Sequence, residues 1–174
     1  MTGKHNDLII VSFKKCLSTS KKDVLVLPSA IASDIAFKVS SSLKKSDLSQ
    51  YNFIAGLVFH LNIQNLSLIF INVTETKFFY FDPMNENPSY RQCFIYQNWL
   101  KFCEKHPSMS SSRWTNQVDI PQQIQSDNFS CDLFFCRYFY CLKRKSFFSL
   151  THIVNLDDFR KEIDILFQKL KTLK

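Results

Sequence analysis

The chain has 174 residues, 45% of them hydrophobic and 15% aromatic with 18 Phe, which excludes intrinsic disorder and allows one sizeable core. With only 2 Gly, a glycine-rich phosphate loop is excluded and tight turns fall to Asn, Asp, Ser and Pro. The formal charge is +7 and the pI about 9.1, yet the cations are scattered in small groups, Lys14-Lys15, Lys21-Lys22, Lys44-Lys45 and Lys143-Arg144-Lys145, as on a solvated basic surface.

The functional alternative for that charge is an acidic partner, either a protein face or nucleic acid bound without sequence preference. No nucleic-acid recognition motif accompanies it. The six cysteines, Cys16, Cys93, Cys103, Cys131, Cys136 and Cys141, form no CxxC pair and no zinc spacing, so no metal or other cofactor is expected. The N-terminal residues lack the apolar core of a signal peptide, and no apolar run is long enough to span a membrane. Reduced thiols in the nucleus or cytoplasm are the expectation.

In chain order, Leu8 to Phe13 and Val24 to Leu27 are short apolar runs. Pro28 opens a segment whose Ile31, Ile35 and Val39 recur at helical spacing. Ser40 to Gln50 is polar and reads as a loop with some helix. Phe53 to Leu61, Leu66 to Val73 and Phe78 to Phe81 read as three strands. They are joined by polar turns at Asn62-Ile63-Gln64-Asn65 and Thr74-Glu75-Thr76-Lys77, which makes an antiparallel meander. The strands are apolar on both alternating faces, so the sheet should be central and covered by helices.

Pro88 to Lys105 spaces Tyr90, Phe94, Trp99 and Phe102 as a helix does, with buried core their expected fate. A Ser-rich loop follows, then a short strand near Trp114 to Ile120. Cys131 to Cys141 is apolar nearly all round, as a helix buried in the core would be. Asp157 to Leu170 is amphipathic, with acids suited to its first turn and lysines to its last. No repeat and no linker interrupts the chain, so one domain over residues 1 to 174 is expected.

Cys131 stands at the start of its helix, where the helix N-terminus favours a thiolate. A buried cysteine is more often plain core, and that reading is kept for Cys136 and Cys141. The surroundings of Cys131 change the reading. Gln125-Ser126-Asp127-Asn128-Phe129-Ser130-Cys131-Asp132 resembles the active-site segment of the ubiquitin-like-protein proteases of the SUMO-protease (Ulp) type, where a glutamine precedes Asp-Cys-Gly by a short loop. His60-Leu61-Asn62-Ile63-Gln64-Asn65-Leu66-Ser67-Leu68 resembles that family's approach to His-Trp-Ser-Leu. Phe79-Tyr80-Phe81-Asp82-Pro83 resembles its Tyr-Tyr-Asp-Ser, and Asp157-Asp158-Phe159-Arg160 its last helix. The likeness runs in order over roughly residues 53 to 170.

The resemblance implies an α+β fold, papain-like and of the SUMO-protease type, with a central, mainly antiparallel sheet flanked by helices. It implies Cys131 as nucleophile, Asp82 as orienting acid and Gln125 as oxyanion donor, with Gln123 a rival for that last role. It also implies a protein partner, a ubiquitin-like modifier such as SUMO or ubiquitin. At the family's histidine position stands Asn65, and at the following tryptophan position Leu66. Asp132 takes the place of the glycine after the nucleophile.

An amide cannot accept the thiol proton, so Asn65 removes a general acid/base whose contribution is typically about 10²–10⁴-fold. Asp132 places a carboxylate beside the thiol and opposes its ionisation. Leu66 removes an aromatic wall of the substrate channel. His60 reads as a strand histidine with a satisfied hydrogen bond. His106 and His152 lie in loop-like segments, and His5 at the terminus. Three functions stand open: an inactive protease-like module that binds a protein, an active cysteine isopeptidase with a noncanonical base, and a basic module that touches nucleic acid.

Overall fold

The computed structural model of the protein describes residues 23–38, 43, 46–61, 65–84, 88–110, 112–118, 134, 135, 137, 138, 155, 158, 159, 161, 165 and 168. Strand β1 (Val24–Leu27) leads through Pro28 into helix α1 (Ser29–Lys38). A 3-10 turn at Leu48–Gln50 precedes β2 (Phe53–His60), β3 (Asn65–Asn72) and β4 (Lys77–Phe81). Helix α2 (Pro88–Glu104) and the short β5 (Thr115–Asn116) follow.

The five strands form one sheet in the order β1-β2-β3-β4-β5. The central meander is antiparallel, with Phe53 opposite Asn72 and Leu68 opposite Phe81. Both edge pairings are parallel. A parallel neighbour needs a crossover, which α1 supplies between β1 and β2 and α2 between β4 and β5. The sheet is thus mixed and mainly antiparallel, with helices on both faces.

Strand alternation sorts the core into two layers. Ile54, Val58, Ile69, Ile71, Phe78 and Tyr80 pack under Ala32, Ile35 and Ala36 of α1 and Ile95, Trp99 and Phe102 of α2. Asn98 of α2 donates to the Ala36 carbonyl at 2.6 Å and joins the two helices. On the other face Phe70, Phe79 and Phe81 form an aromatic row. Tyr138 stacks on Phe81 with ring centroids 4.9 Å apart. The residues 134, 135, 137 and 138 are helical and buried, as the apolar run from Cys131 predicts.

Two local features show how a glycine-poor chain turns and packs. Asn72 Oδ1 accepts the Glu75 amide at 3.0 Å and closes the β3–β4 turn, where Thr76 adopts φ 52°, a left-handed conformation uncommon for a β-branched residue. A Cβ on Gly56 would lie 2.7 Å from the Ala32 Cβ, so the absent side chain is what lets α1 lie on β2.

Three sequence expectations need adjustment. Asn65 belongs to β3, not to the preceding turn, because it pairs with His60 across the hairpin. Helix α2 buries Trp99 and Phe102, but Tyr90 is 76% and Phe94 45% exposed, since only one face of the helix meets the sheet. The last strand shrinks to Thr115–Asn116, held to α2 by Gln92 through Asn116 Oδ1 and the Gln117 carbonyl. The apolar run at residues 8 to 13 lies outside the described residues. Among the described residues no helix is long and apolar enough to cross a membrane.

Candidate functional site

The β-register assembles a polar cluster at one end of the α1/α2 face. Asn65 and His60 are directly paired, Ser67 pairs with Val58, and Ile69 pairs with Tyr80. A two-residue period then puts His60, Asn65, Ser67, Tyr80 and Asp82 on one side of the sheet. Asp82 follows the last residue of β4, and its side chain is completely buried. Pro83 and the start of α2 turn the chain back, which brings Arg91 over the same end.

Asp82 is saturated with donors, as a buried carboxylate must be. Its Oδ1 accepts Asn65 Nδ2 at 3.0 Å and the Met84 amide at 3.1 Å. Its Oδ2 accepts Arg91 Nη1 at 2.5 Å and the Tyr80 hydroxyl at 3.4 Å. Asn65 Oδ1 accepts the Leu66 amide at 2.7 Å. The orientation of the Asn65 amide follows from these partners. Its nitrogen must face the acceptor-only carboxylate and its oxygen the donor-only backbone N–H.

His60 is tied into the same cluster. Its Nε2 lies 2.7 Å from Ser67 Oγ and 3.3 Å from the Tyr80 hydroxyl, and the Phe37 ring meets its own ring edge-on at 5.4 Å. Burial, reinforced by the Arg91 charge and only partly offset by Asp82, lowers its pKa from 6.5 to about 4. The imidazole is therefore neutral at pH 7, and the cation in this cluster is Arg91. Burial and the neighbouring Asp82 push the Tyr80 hydroxyl above its ordinary range. His60 is a bonded strand histidine, as its sequence context suggests. His106 is buried far along the chain's other end of α2, bonded to the Leu43 carbonyl and to Ser108.

Of the site residues named from sequence, the structure brings Asn65 and Asp82 into direct contact. Leu66 follows Asn65 on the opposite face of β3, 8% exposed. Cys131, Asp132, Gln123 and Gln125 lie outside the described residues. Sequence reasoning missed Arg91, Tyr80 and Ser67. The last two are legible from strand alternation once Asp82 is chosen, whereas Arg91 reaches the site only through the path of α2. Among the described residues no group of three His, Cys, Asp or Glu side chains is placed to hold a metal ion.

No family model and no curated protein matches the sequence. Solved structures do. The SUMO protease Ulp1 with its catalytic cysteine oxidised to a sulfenic acid superposes with a TM-score of 0.69 at 15% identity, over 96% of this chain and 77% of that one. The C-terminal Ulp1 protease domain in complex with Smt3, the yeast ortholog of SUMO, gives 0.64 at 11% identity, over 84% and 66%. The Chlamydia trachomatis effector protein ChlaDUB1 gives 0.53 at 12% identity, over 96% and 92%. At such identities it is the backbone path that is shared, and this chain has the α+β, papain-like fold of the Ulp1-type SUMO proteases.

Proposed function

We propose that the chain is a protease-like module that binds a protein without cutting it, with a ubiquitin-like modifier as the first class of partner to test. One observation carries the reading: the side chain that takes the Oδ1 of buried Asp82 is an amide, Asn65 Nδ2 at 3.0 Å. In a thiol protease the acid orients an imidazole, which removes the thiol proton and returns it to the leaving amine. An amide forms the orienting hydrogen bond equally well but has no basic nitrogen, so neither proton transfer can occur.

The roles follow the resemblance: Cys131 at the nucleophile position, Asp82 at the acid, Asn65 at the histidine and Gln125 at the oxyanion donor, with Gln123 as its rival. Leu66 and Asp132 stand at positions that would shape the cleft floor and the nucleophile's surroundings. His60 offers no relief as a base, since its Nε2 is already engaged by Ser67 and Tyr80 and its basicity is depressed. The partner class is supported by the Smt3 complex of a protein with the same fold.

The test uses ubiquitin and SUMO carrying C-terminal electrophiles, together with the unmodified proteins. We expect no labelling of Cys131 and no turnover of an isopeptide substrate, with saturable binding to at least one modifier. Rapid labelling that disappears in Cys131→Ala would show an active isopeptidase with a noncanonical base. Absence of binding to every modifier tested would overturn the choice of partner.

A further inference from the structure

We propose that Arg91 is a positioning residue that has taken over Asp82: its guanidinium holds Oδ2 while Asn65 holds Oδ1, so the positive charge an imidazolium would present to the acid is already supplied. The inference rests on the reading of Asp82 and Asn65 as acid and histidine positions. With Arg91 in place, changing Asn65 alone leaves the site unable to work.

An acid in a catalytic triad serves as an anion beside the imidazole, which it orients and whose protonated form it stabilises, and a second cation on that carboxylate weakens the stabilisation. Asp82 already carries such a cation. The Arg91 guanidinium forms a charge-assisted bond to Oδ2, and the Tyr80 hydroxyl and Met84 amide fill two further acceptor positions. The Arg91–Asp82 pair carries no net charge, so an imidazole placed at position 65 would meet a neutral pair with a cation behind it. Its protonated form loses the stabilisation that the second half of catalysis needs.

Among the described residues, several groups face this position. Asp82 and Tyr80 come from β4 and its end, and His60 and Ser67 from β2 and β3. Arg91 comes from α2, and from the opposite layer Tyr138 is close enough to Asp82 for its hydroxyl to feel the charge. Among them Arg91 is the cation bonded to Asp82. It is also where the chain departs from what an acid–base site requires without changing the acid itself.

The test reads the introduced imidazole directly, by NMR titration of Asn65→His and of Asn65→His with Arg91→Gln. In the single variant we expect its pKa at or below the ordinary value of about 6.5, despite a carboxylate in contact. In the double variant we expect a rise of about one unit or more, a tenfold change in proton affinity, because the carboxylate of Asp82 then has no guanidinium bonded to it. Arg91→Lys in the same background keeps the charge and should leave the pKa near that of the single variant. The same pKa with and without Arg91 overturns the proposal. Should Arg91→Gln fail to fold, a single-variant pKa about one unit or more above 6.5 overturns it too. The readout is independent of cleavage, so a failed pseudoprotease reading would show itself in probe labelling of the unaltered chain and not here.

Discussion

At the residue scale, the polar cluster on the sheet shows how an amide can hold a buried carboxylate while offering no base. Asn65 retains a donor for Asp82 but has no proton acceptor to offer a thiol. His60, one hairpin partner away, keeps an imidazole but loses basicity to burial and to Arg91. This sets the sign of a pH effect. The folded-state pKa of about 4 lies below the ordinary 6.5, so the unfolded chain takes up the proton first as the pH falls. The contribution of His60 is whole above 6.5 and is lost between 6.5 and about 4, reaching at most about 3 kcal/mol. His60→Gln, which can still bond Ser67, should flatten that part of the stability–pH curve. Urea midpoints measured at pH 7, 5.5 and 4.5 check this. Equal acid sensitivity in both proteins would count against a neutral buried His60.

At the scale of elements, the position of α1 on β2 depends on a missing side chain. Gly56 lies beneath Ala32, and a Cβ there would come within 2.7 Å of Ala32 Cβ and 3.1 Å of Leu27 Cβ. Neither neighbour has a flexible end to move aside at the point of closest approach. Gly56→Ala should therefore cost about 1–3 kcal/mol by overpacking, although alanine suits a strand's backbone better than glycine does. Ala32→Gly in the same chain should recover part of that loss, which a thermal melt of the three variants would show. If Gly56→Ala alone melts at or above the unaltered chain, the packing account is wrong. The same approach of α1 carries Ser33 to the Phe59 amide and Phe37 to His60, so a displaced helix would also disturb the polar cluster.

At the scale of the molecule, the two tryptophans probe the shared core. Trp99 of α2 and Trp114 beside β5 meet edge to face with centroids 5.1 Å apart, under the central strands. If residues 1 to 174 are one cooperative domain, tryptophan fluorescence and far-UV ellipticity should give one coincident unfolding transition. Two separated transitions would divide the chain. The opposite layer, where Tyr138 stacks on Phe81, joins the helical residues 134, 135, 137 and 138 to β4, the strand that ends just before Asp82. That contact explains why a fold can persist at 10–15% identity: the positions that hold the layers need only be apolar and of suitable size.

Much of this was written in local pattern. The meander, α1 and α2 follow from apolar periodicity and from polar turns, and the pairing of Asn65 with Asp82 follows from the short reach of a hairpin and its neighbouring strand. What sequence could not supply was anything that depends on a long return path. Tyr90 and Phe94 escape the core because α2 meets the sheet along one face only, and periodicity alone does not say which face that is. The parallel edges depend on where the crossover helices land. Arg91 reaches Asp82 only because α2 lies back against the sheet, a direction set by packing. The residues therefore determined that the side chain at position 65 is an amide with no basic nitrogen, since basicity belongs to the side chain itself. Only the tertiary structure decided that a guanidinium shares the acid with that amide, because a charge pair depends on distance and not on order along the chain.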